Sequence, residues 1–337
     1  MLVLNNLTNQ IEKIQTENHF SGSIFVKQSD SVKLQASFGY ANRADAVLNE
    51  KQTRFGIASG CKLFTAVAIA QLVEAKKLSF DSLLRDVLDI SFPHFHEGVT
   101  IHHLLTHTSG IPDYFDEEIM DDFEELWIKI PMYHIRRLHD FLPLFQKEQQ
   151  KYIAGEKFYY NNAGYIVLGL IVEKVTGMAF IDYVQQNIMD KAGMKNSGYF
   201  ALDALPSNTA IGYIDKEDGT WKTNMYSLPI QGGSDGGAFV TADDMVLFWE
   251  ALIQDKLLND KTILMTPYVH EEDESYYGYG VWIEKKENEI YKYHVMGYDP
   301  GVSFHSAYYP HNTVILSICS NKSKGAYAMM LELENSF

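Results

Sequence analysis

The chain has 337 residues, of which 46% are hydrophobic and 21% charged, and this ordinary globular composition excludes a disordered or low-complexity chain. Its length allows one large domain or two interleaved domains with a substantial buried core. The formal net charge of −16 would repel phosphate groups, so we expect no nucleic-acid partner.

The first residues and the cysteine count indicate a compartment. Residues 1–6 contain no basic segment followed by an apolar run of signal-peptide length, and no stretch reaches about 18 uninterrupted apolar residues. The two cysteines, Cys61 and Cys319, are too few for a disulfide framework. We therefore expect a cytoplasmic protein without a membrane-spanning segment, although a secreted form trimmed of its leader would have the same features.

In chain order, the hydrophobic periodicity first predicts a helix over residues 5–16 and then two strands, 23–26 and 32–38, around a turn at 29–31. The long middle of the chain has helical patterns over 59–77, 81–88, 100–106, 117–129, 163–176, 178–190 and 242–254. The last part predicts strands over 280–283, 290–293, 302–308 and 313–318, and a terminal helix over 326–334.

Strand-rich ends that flank a helix-rich centre predict an α+β fold. The economical arrangement pairs both chain ends in one antiparallel sheet flanked by helices, with the centre inserted as a mainly helical domain. The sheet domain would comprise residues 1–58 and 270–337, and the helical domain residues 59–269. We expect the active site in the cleft between them, where ligand sites tend to lie.

A serine and a lysine three residues apart, Ser59 and Lys62, open an apolar run that extends to Val73. The run is apolar nearly all round, which predicts a buried helix, and residues at i and i+3 share one helix face. Burial and the positive end of the helix dipole both disfavour a charged lysine, so Lys62 would be able to accept the proton of the Ser59 hydroxyl. The same helix terminus offers backbone N–H groups to an oxyanion. The alternative for an isolated Ser-x-x-Lys is a helix-capping serine and a surface lysine.

Histidines crowd into residues 94–107, and His103 and His107 are four residues apart, as two metal ligands on one helix face would be. No acidic or cysteine residue stands at a suitable spacing as a third ligand, so we expect no metal site. Cys61 is interpreted as a small buried residue rather than a nucleophile, because no His/Asn pair accompanies it.

Two further groups of residues have ordinary structural explanations. The acidic runs at 116–125 and 271–274 are expected to be solvated loop and helix faces. Six aromatic residues could line an apolar substrate pocket, although such residues more often belong to a core. They are Tyr114, Phe115, Trp127, Tyr133, Trp221 and Tyr226.

A second polar cluster, at residues 154–165, leads into the helix predicted over 163–176. Tyr-x-Asn fits twice here, as Tyr159/Asn161 and as Tyr160/Asn162. A tyrosine phenol beside a lysine can pass a proton to a leaving group, and an asparagine amide can hold both the lysine and a substrate carbonyl. An asparagine at this place can also cap the helix, so both roles stay open.

An ordered series of motifs resembles the serine β-lactamase and penicillin-binding-protein superfamily, in particular its class C-like branch of β-lactamases, D-peptidases and carboxylesterases. The matching segments are 20–23, 38–41, 55–59, 104–112, 155–165 and 236–244. The family register Gly-Glu-x-Phe-x-Tyr-x-Asn selects Tyr160 and Asn162. The resemblance implies a β-lactamase/transpeptidase-like fold, which agrees with the architecture predicted above.

The third motif of that family, a Lys or His followed by any residue and a Gly on a cleft-lining strand, is irregular here. Alignment on Gly297 and on 300–301 places Val295 rather than His294 at the cation position. Since strand side chains alternate faces, His294 would point away from the cleft unless a bulge re-aims it. In the family this cation helps to bind a substrate carboxylate. The resemblance also implies an oxyanion hole from the backbone N–H groups of Ser59 and Tyr298, or of Gly297 if the register is shifted.

Together these features predict a serine hydrolase that forms an acyl-enzyme on Ser59, with Lys62 and Tyr160 handling the proton and Asn162 orienting Lys62 and the substrate. The residues expected to bind or orient substrate are Asn162, His294, Gly297 and Tyr298. The expected substrate is a small ester, amide or D-peptide, and neither a cofactor nor a metal is implied. The alternatives are a D-Ala-D-Ala-type peptidase or β-lactamase, and a non-catalytic homologue that binds penicillin or peptide.

Overall fold

The computed structural model of the protein describes residues 11, 15–17, 19–120 and 122–336. The helix predicted over 5–16 lies largely outside the described residues. Of its span, residues 11, 15 and 16 are described and are helical, as is residue 17.

The described strands include a large sheet to which both ends of the chain contribute. They are β1 (Gly22–Gln28), β2 (Ser31–Phe38), β3 (Tyr40–Asn42), β4 (Val47–Leu48), β5 (Phe55–Gly56), β6 (Tyr213–Asp215), β7 (Trp221–Thr223), β8 (Phe239–Val240), β9 (Val269–His270), β10 (Ser275–Tyr277), β11 (Trp282–Lys286), β12 (Glu289–Asp299), β13 (Val302–Tyr309) and β14 (Val314–Ser320). The large sheet has eight strands in the order β2-β1-β14-β13-β12-β11-β10-β9. Its pairings are antiparallel, and β1 pairs with β14.

Helices and short turns fill the middle of the chain. The helices are α1 (Lys62–Glu74), α2 (Leu84–Val87), α3 (Ile101–Leu105), α4 (Leu126–Lys129), α5 (Asn162–Thr176), α6 (Phe180–Val184), α7 (Asp190–Ala192), α8 (Ala242–Ile253), α9 (Thr262–Met265) and α10 (Ala326–Glu334). Single 3-10 turns occur at Ala58–Cys61, Phe123–Glu125 and Met132–His134, a longer 3-10 segment at Leu138–Leu144, and a π-helical turn at Gln185–Met189. The predicted α+β class, with an antiparallel sheet flanked by helices, is confirmed. The domain bounds at 58/59 and 269/270 stay a prediction.

The sheet is covered on both faces, which explains why its central strands are buried along nearly their whole length. Alternate side chains of β14 belong to different core clusters. Ile315 and Cys319 pack in the larger cluster with the helices of the middle segment, whereas Leu316 and Ile318 pack in the smaller cluster with α10. The sheet therefore separates two hydrophobic cores.

The sequence pattern predicted the long helices better than the short ones. The terminal helix has the predicted bounds, and α5 and α8 each differ from prediction by one residue. The helix predicted over 117–129 is wrong in its first part, because residues 117–119 form a turn. Asp116, expected to be solvated, is buried there and accepts hydrogen bonds from Tyr159 Oη and from Lys151 Nζ.

Within the described part of the chain, no single helix is both long enough and apolar enough to cross a membrane. The segments 162–176 and 180–192 meet that criterion only as a pair, across a bend of 78°.

Candidate active site

Ser59 lies in a tight turn that precedes the first long helix. The 3-10 turn Ala58–Cys61 connects β5 to α1, and Ala58 has a φ of 44°, in the left-handed region that non-glycine residues rarely adopt. Backbone hydrogen bonds hold this turn: Gly60 N donates to Ile57 O at 2.9 Å, and Ile57 N donates to Ala238 O at 3.0 Å. Ser59 does not cap α1, which has no side-chain cap. The turn instead leaves the Ser59 hydroxyl free to face Lys62.

The Lys62 side chain is buried, with only 2% of its surface exposed, and its amine contacts three oxygen atoms. Lys62 Nζ lies 2.9 Å from Ser59 Oγ, 2.7 Å from Asn162 Oδ1 and 2.8 Å from the backbone oxygen of Asp235. Three acceptors saturate the three hydrogens of an ammonium group. In its neutral form the amine has a lone pair, which at this distance can take the Ser59 proton.

The Tyr160 phenol is hydrogen bonded to the Ser59 hydroxyl. Lys62 Nζ lies 4.9 Å from the centre of the Tyr160 ring, and the opposite side of the site is closed by His107, whose ring centre is 4.3 Å away from that of Tyr160. Burial, and to a smaller extent the Glu117 carboxylate, raises the pKa of Tyr160 well above 10. Tyr160 therefore stays protonated near neutral pH and can donate a proton.

Asn161 and Asn162 take different roles at the start of α5. Asn161 caps the helix, since its Oδ1 accepts from Gly164 N at 2.6 Å, whereas Asn162 Oδ1 accepts from Lys62. The neighbouring Tyr159 points elsewhere and donates to Asp116 Oδ1 at 2.7 Å. The structure thus brings Tyr160 and Asn162 to Lys62, and it separates Tyr159 and Asn161 from it.

The β12 backbone at Gly297 lies against the nucleophile turn. A Cβ at this position would lie 2.9 Å from Ser59 N, 2.9 Å from Gly60 N and 2.1 Å from Ile57 O, so only glycine fits. Tyr298 follows, with its hydroxyl 2.5 Å from His305 Nε2. Strand and turn backbones therefore meet beside Ser59 Oγ, where an oxyanion would need donors.

His294 was expected among the substrate-binding residues, and the structure places it elsewhere. It is buried, its Nε2 lies 3.1 Å from Glu284 Oε1, and it is absent from the walls of both cavities that contain Ser59. Val295, at the position where the related proteins have a cation, is buried in the larger core. The assignment of His294 to substrate binding is therefore corrected: alternation along the strand turns its side chain away from the cleft.

Three acidic residues of the site were missed from the sequence. The Asp113 carboxylate accepts from Asn162 N at 2.7 Å and from Ala163 N at 2.9 Å, and burial raises its pKa to about 7. Asp235 supplies the carbonyl that holds Lys62, and Tyr114 Oη donates to its buried carboxylate. Glu117, from a run expected to be solvated, accepts from Asn162 Nδ2 at 3.2 Å. Only their neighbours offered a signal, since Asp113 follows Pro112 and Asp235 lies among the glycines of 232–237.

The histidines and cysteines of the region have structural partners. His103 and Thr100 form a capping box at α3, His102 Nδ1 lies 2.8 Å from Tyr279 Oη, and His107 Nδ1 accepts from Asn161 N. Among the described residues, no group of three or more His, Cys, Asp or Glu side chains is arranged to hold a metal ion. Cys61 is buried, and burial raises the pKa of its thiol to about 12.

The six aromatic residues considered as a pocket lining divide into three groups. Tyr114 and Phe115 line a cavity beside Ser59, and Trp127 is buried in the core. The others are substantially exposed: Tyr133, Trp221 and Tyr226.

We expect the carboxyl group of Asp299, at the end of β12, to make stability depend on pH. Burial raises its pKa from 3.8 to about 8, and the nearby carboxylates of Asp235 and Glu117 add to this shift. The folded protein holds this proton more tightly than the unfolded chain, so the associated stability is present at low pH and is lost as the pH rises from 3.8 to about 8.

The Asp299→Asn variant cannot ionise at this position. Its free energy of unfolding should therefore increase relative to wild type as the pH rises through the same window, and the difference should become constant above it. Urea unfolding of both proteins at matched pH values measures this difference and removes the contribution of the buried histidines. A difference that does not change with pH would contradict the prediction.

Comparison with known protein families follows the same direction. A family model described as beta-lactamase matches residues 8–333. Among curated proteins, penicillin-binding protein 4* of Bacillus subtilis (strain 168) is 29% identical over 303 residues, which is 84% of this chain and 64% of that protein. This chain spans less than two thirds of the length of the curated relatives that it matches most strongly.

Solved structures extend the comparison over the whole chain. A penicillin-binding protein from Bacillus halodurans is 59% identical, with a TM-score of 0.94 over 97% of this chain and 99% of that one. EstCE1, a hydrolase with promiscuous acyltransferase activity, has a TM-score of 0.82 over 100% of this chain and 99% of its own, at 17% identity. The second likeness concerns the fold alone.

Proposed function

Because the chain belongs to the beta-lactamase family, we propose that it is a serine hydrolase that forms its acyl-enzyme on Ser59, with Lys62 as general base and Tyr160 as proton carrier to the leaving group. One observation carries the proposal. The Ser59 hydroxyl is hydrogen bonded to the Lys62 amine at 2.9 Å and also to the Tyr160 phenol. A serine is a weak nucleophile unless such a base is in contact with it.

In the acylation step, neutral Lys62 takes the proton of Ser59 while Oγ attacks the acyl carbon of an ester or amide. The negative charge that develops on the carbonyl oxygen is stabilised by the backbone N–H of Ser59 and by that of Tyr298 on β12. The bond to the leaving group then breaks. Tyr160 gives its proton to the leaving oxygen or nitrogen and regains one from the Lys62 ammonium, so that both groups return to their starting states.

Deacylation repeats these transfers with water. A water molecule attacks the acyl carbon, its proton passes to the base, and the Ser59–acyl bond breaks to give a carboxylic acid and the free hydroxyl. Asn162 keeps Lys62 in place throughout, since its Oδ1 is an acceptor at 2.7 Å that does not titrate.

We expect an activity-based fluorophosphonate probe to label Ser59, because its phosphorus reacts with activated serine hydroxyls. Peptide mapping by mass spectrometry should find the added mass on the peptide that contains Ser59. Heat-unfolded protein is the control, since unfolding separates Lys62 from Ser59. Label on a different serine of the folded protein, or equal labelling after unfolding, would contradict the proposal.

The names of the relatives favour a second candidate, covalent binding of penicillin. One observation weighs against it: the position of the family's cation is held by the buried Val295, so no basic side chain is available there for the carboxylate of a β-lactam. We expect little added mass on the Ser59 peptide after incubation with a penicillin under conditions in which the fluorophosphonate reacts fully. Stoichiometric acylation by the penicillin would make this second candidate the better one.

A further inference from the structure

Two cavities meet at Ser59, and the proton carrier lines only one of them. A cavity of about 530 Å³ is lined by Ser59 and Asn162, and a cavity of about 930 Å³ is lined by Ser59 and Tyr160. If Tyr160 protonates the leaving group, that group must lie in the larger cavity. The acyl part of the substrate then occupies the smaller one, which we call the acyl pocket.

The acyl pocket combines apolar walls with acidic groups. Its apolar walls include Phe115, Phe123, Phe141, Phe200, Met225 and Leu228. Four carboxyl groups also line it, from Glu117, Asp122, Asp235 and Asp299, whereas none of its described lining residues is Lys, Arg or His. An apolar group of phenyl size fits such walls, and the charge of the pocket disfavours an anion.

Two of these carboxyl groups already have partners. Asp235 accepts from Tyr114 Oη, and Glu117 accepts from Asn162 Nδ2 at 3.2 Å. In contrast, no hydrogen bond or ion pair from the described residues reaches the carboxyl group of Asp299. Asp299 follows Tyr298, whose backbone is the expected oxyanion donor, so this unpartnered group lies one residue from the reacting centre.

We propose that the acyl pocket binds an acyl group that carries a protonated amine beside an apolar side chain, with Asp299 as the partner of the amine. The substrates would then be aminoacyl esters or amides rather than compounds with a negatively charged acyl part. This inference rests on the proposed function, because the acyl pocket is defined by the acyl-enzyme on Ser59. The pocket is a site because it contains the nucleophile, and its carboxyl groups determine which charge it accepts.

The test measures how three matched ligands protect Ser59 from the fluorophosphonate. The ligands share a phenyl group and differ in charge: 2-phenylethylamine is a cation, 2-phenylethanol is neutral and 3-phenylpropionate is an anion. We expect half-protection at an amine concentration about tenfold below that of the alcohol, and weaker protection by the acid. Equal protection by all three, or strongest protection by the acid, would overturn the inference.

Asp299→Asn assigns the effect to one group. This variant should lose the advantage of the amine over the alcohol while protection by the alcohol stays unchanged. Glu289→Gln is the matched control, since Glu289 is an exposed acidic residue at the other end of the same strand. If Asp299→Asn weakens protection by the amine and the alcohol equally, its role is structural and the inference is wrong.

The two proposals fail in different ways. Labelling of Ser59 without a charge preference would leave the hydrolase intact and remove only the aminoacyl specificity. Absence of labelling would contradict the proposed function, and calorimetric titration of the amine and the alcohol would then still decide the charge preference of the pocket. Hydrolysis of phenylalanine benzyl ester against its N-acetyl and N-succinyl forms extends the same comparison to turnover, and a higher kcat/KM for either acylated form would count against the inference.

Discussion

Replacing Ser59 by alanine is expected to reduce the turnover of an activated ester by at least about 10⁴-fold while the fold is retained. The hydroxyl is the group that forms the covalent intermediate, and no other side chain of the site is placed to substitute for it. Cys61, two residues away, is buried, and the raised pKa of its thiol leaves it without a thiolate. The measurement is the hydrolysis of p-nitrophenyl acetate at neutral pH, together with thermal unfolding.

The stability of this variant should remain close to that of wild type, because alanine keeps the backbone of the turn and the lost hydroxyl is only partly buried. Ser31→Ala, at an exposed position at the start of β2, is the matched control and should retain full activity. Substantial turnover by Ser59→Ala would refute the assignment of the nucleophile. It would also remove the basis for the acyl pocket.

Replacing Lys62 by arginine is expected to lower kcat by about 10²–10⁴-fold, the range that a positioned general base contributes. Arginine keeps the positive charge beside Ser59, but it does not lose its proton at any pH at which the protein is folded. A loss of activity in this variant therefore separates base catalysis from simple charge stabilisation. The measurement is the pre-steady-state rate of acylation with the same ester.

Lys62→Met tests the same residue without the charge. It leaves Asn162 Oδ1 and the backbone oxygen of Asp235 without a donor, so we expect a destabilisation of about 1–3 kcal/mol in addition to the loss of rate. Lys77→Met, at an exposed position after α1, controls for the loss of a lysine as such. Acylation at the wild-type rate in Lys62→Arg would show that Lys62 acts only through its charge.

The core of the site could be predicted from local sequence because its first two residues are close in the chain. Ser59 and Lys62 are three residues apart, and that spacing brings their side chains within 2.9 Å even though Ser59 belongs to a 3-10 turn rather than to the helix itself. The choice of Tyr160 and Asn162 over Tyr159 and Asn161 needed a family resemblance, since both pairs satisfy the same local pattern.

The acidic half of the site could not be predicted because it depends on contacts between distant segments. Lys62 and Asp235 are 173 positions apart, and Asn162 and Glu117 are 45 positions apart. No periodicity encodes such a contact, and an acidic run such as 116–118 has the same composition whether it is solvated or, like Asp116 and Glu117, turned toward buried partners. The fold class was accessible because it depends on the distribution of strand and helix patterns along the whole chain.

The contact at Gly297 makes the architecture of the protein and its chemistry inseparable. Strand β12 belongs to the large sheet, and its backbone touches the turn that carries the nucleophile, with no space for even a methyl group between them. A mutational library at this position should consequently yield a single active sequence, and its inactive members should also be the thermally weakened ones. In this family member, selection for a tightly seated strand and selection for a working hydroxyl would act on the same atom-scale gap.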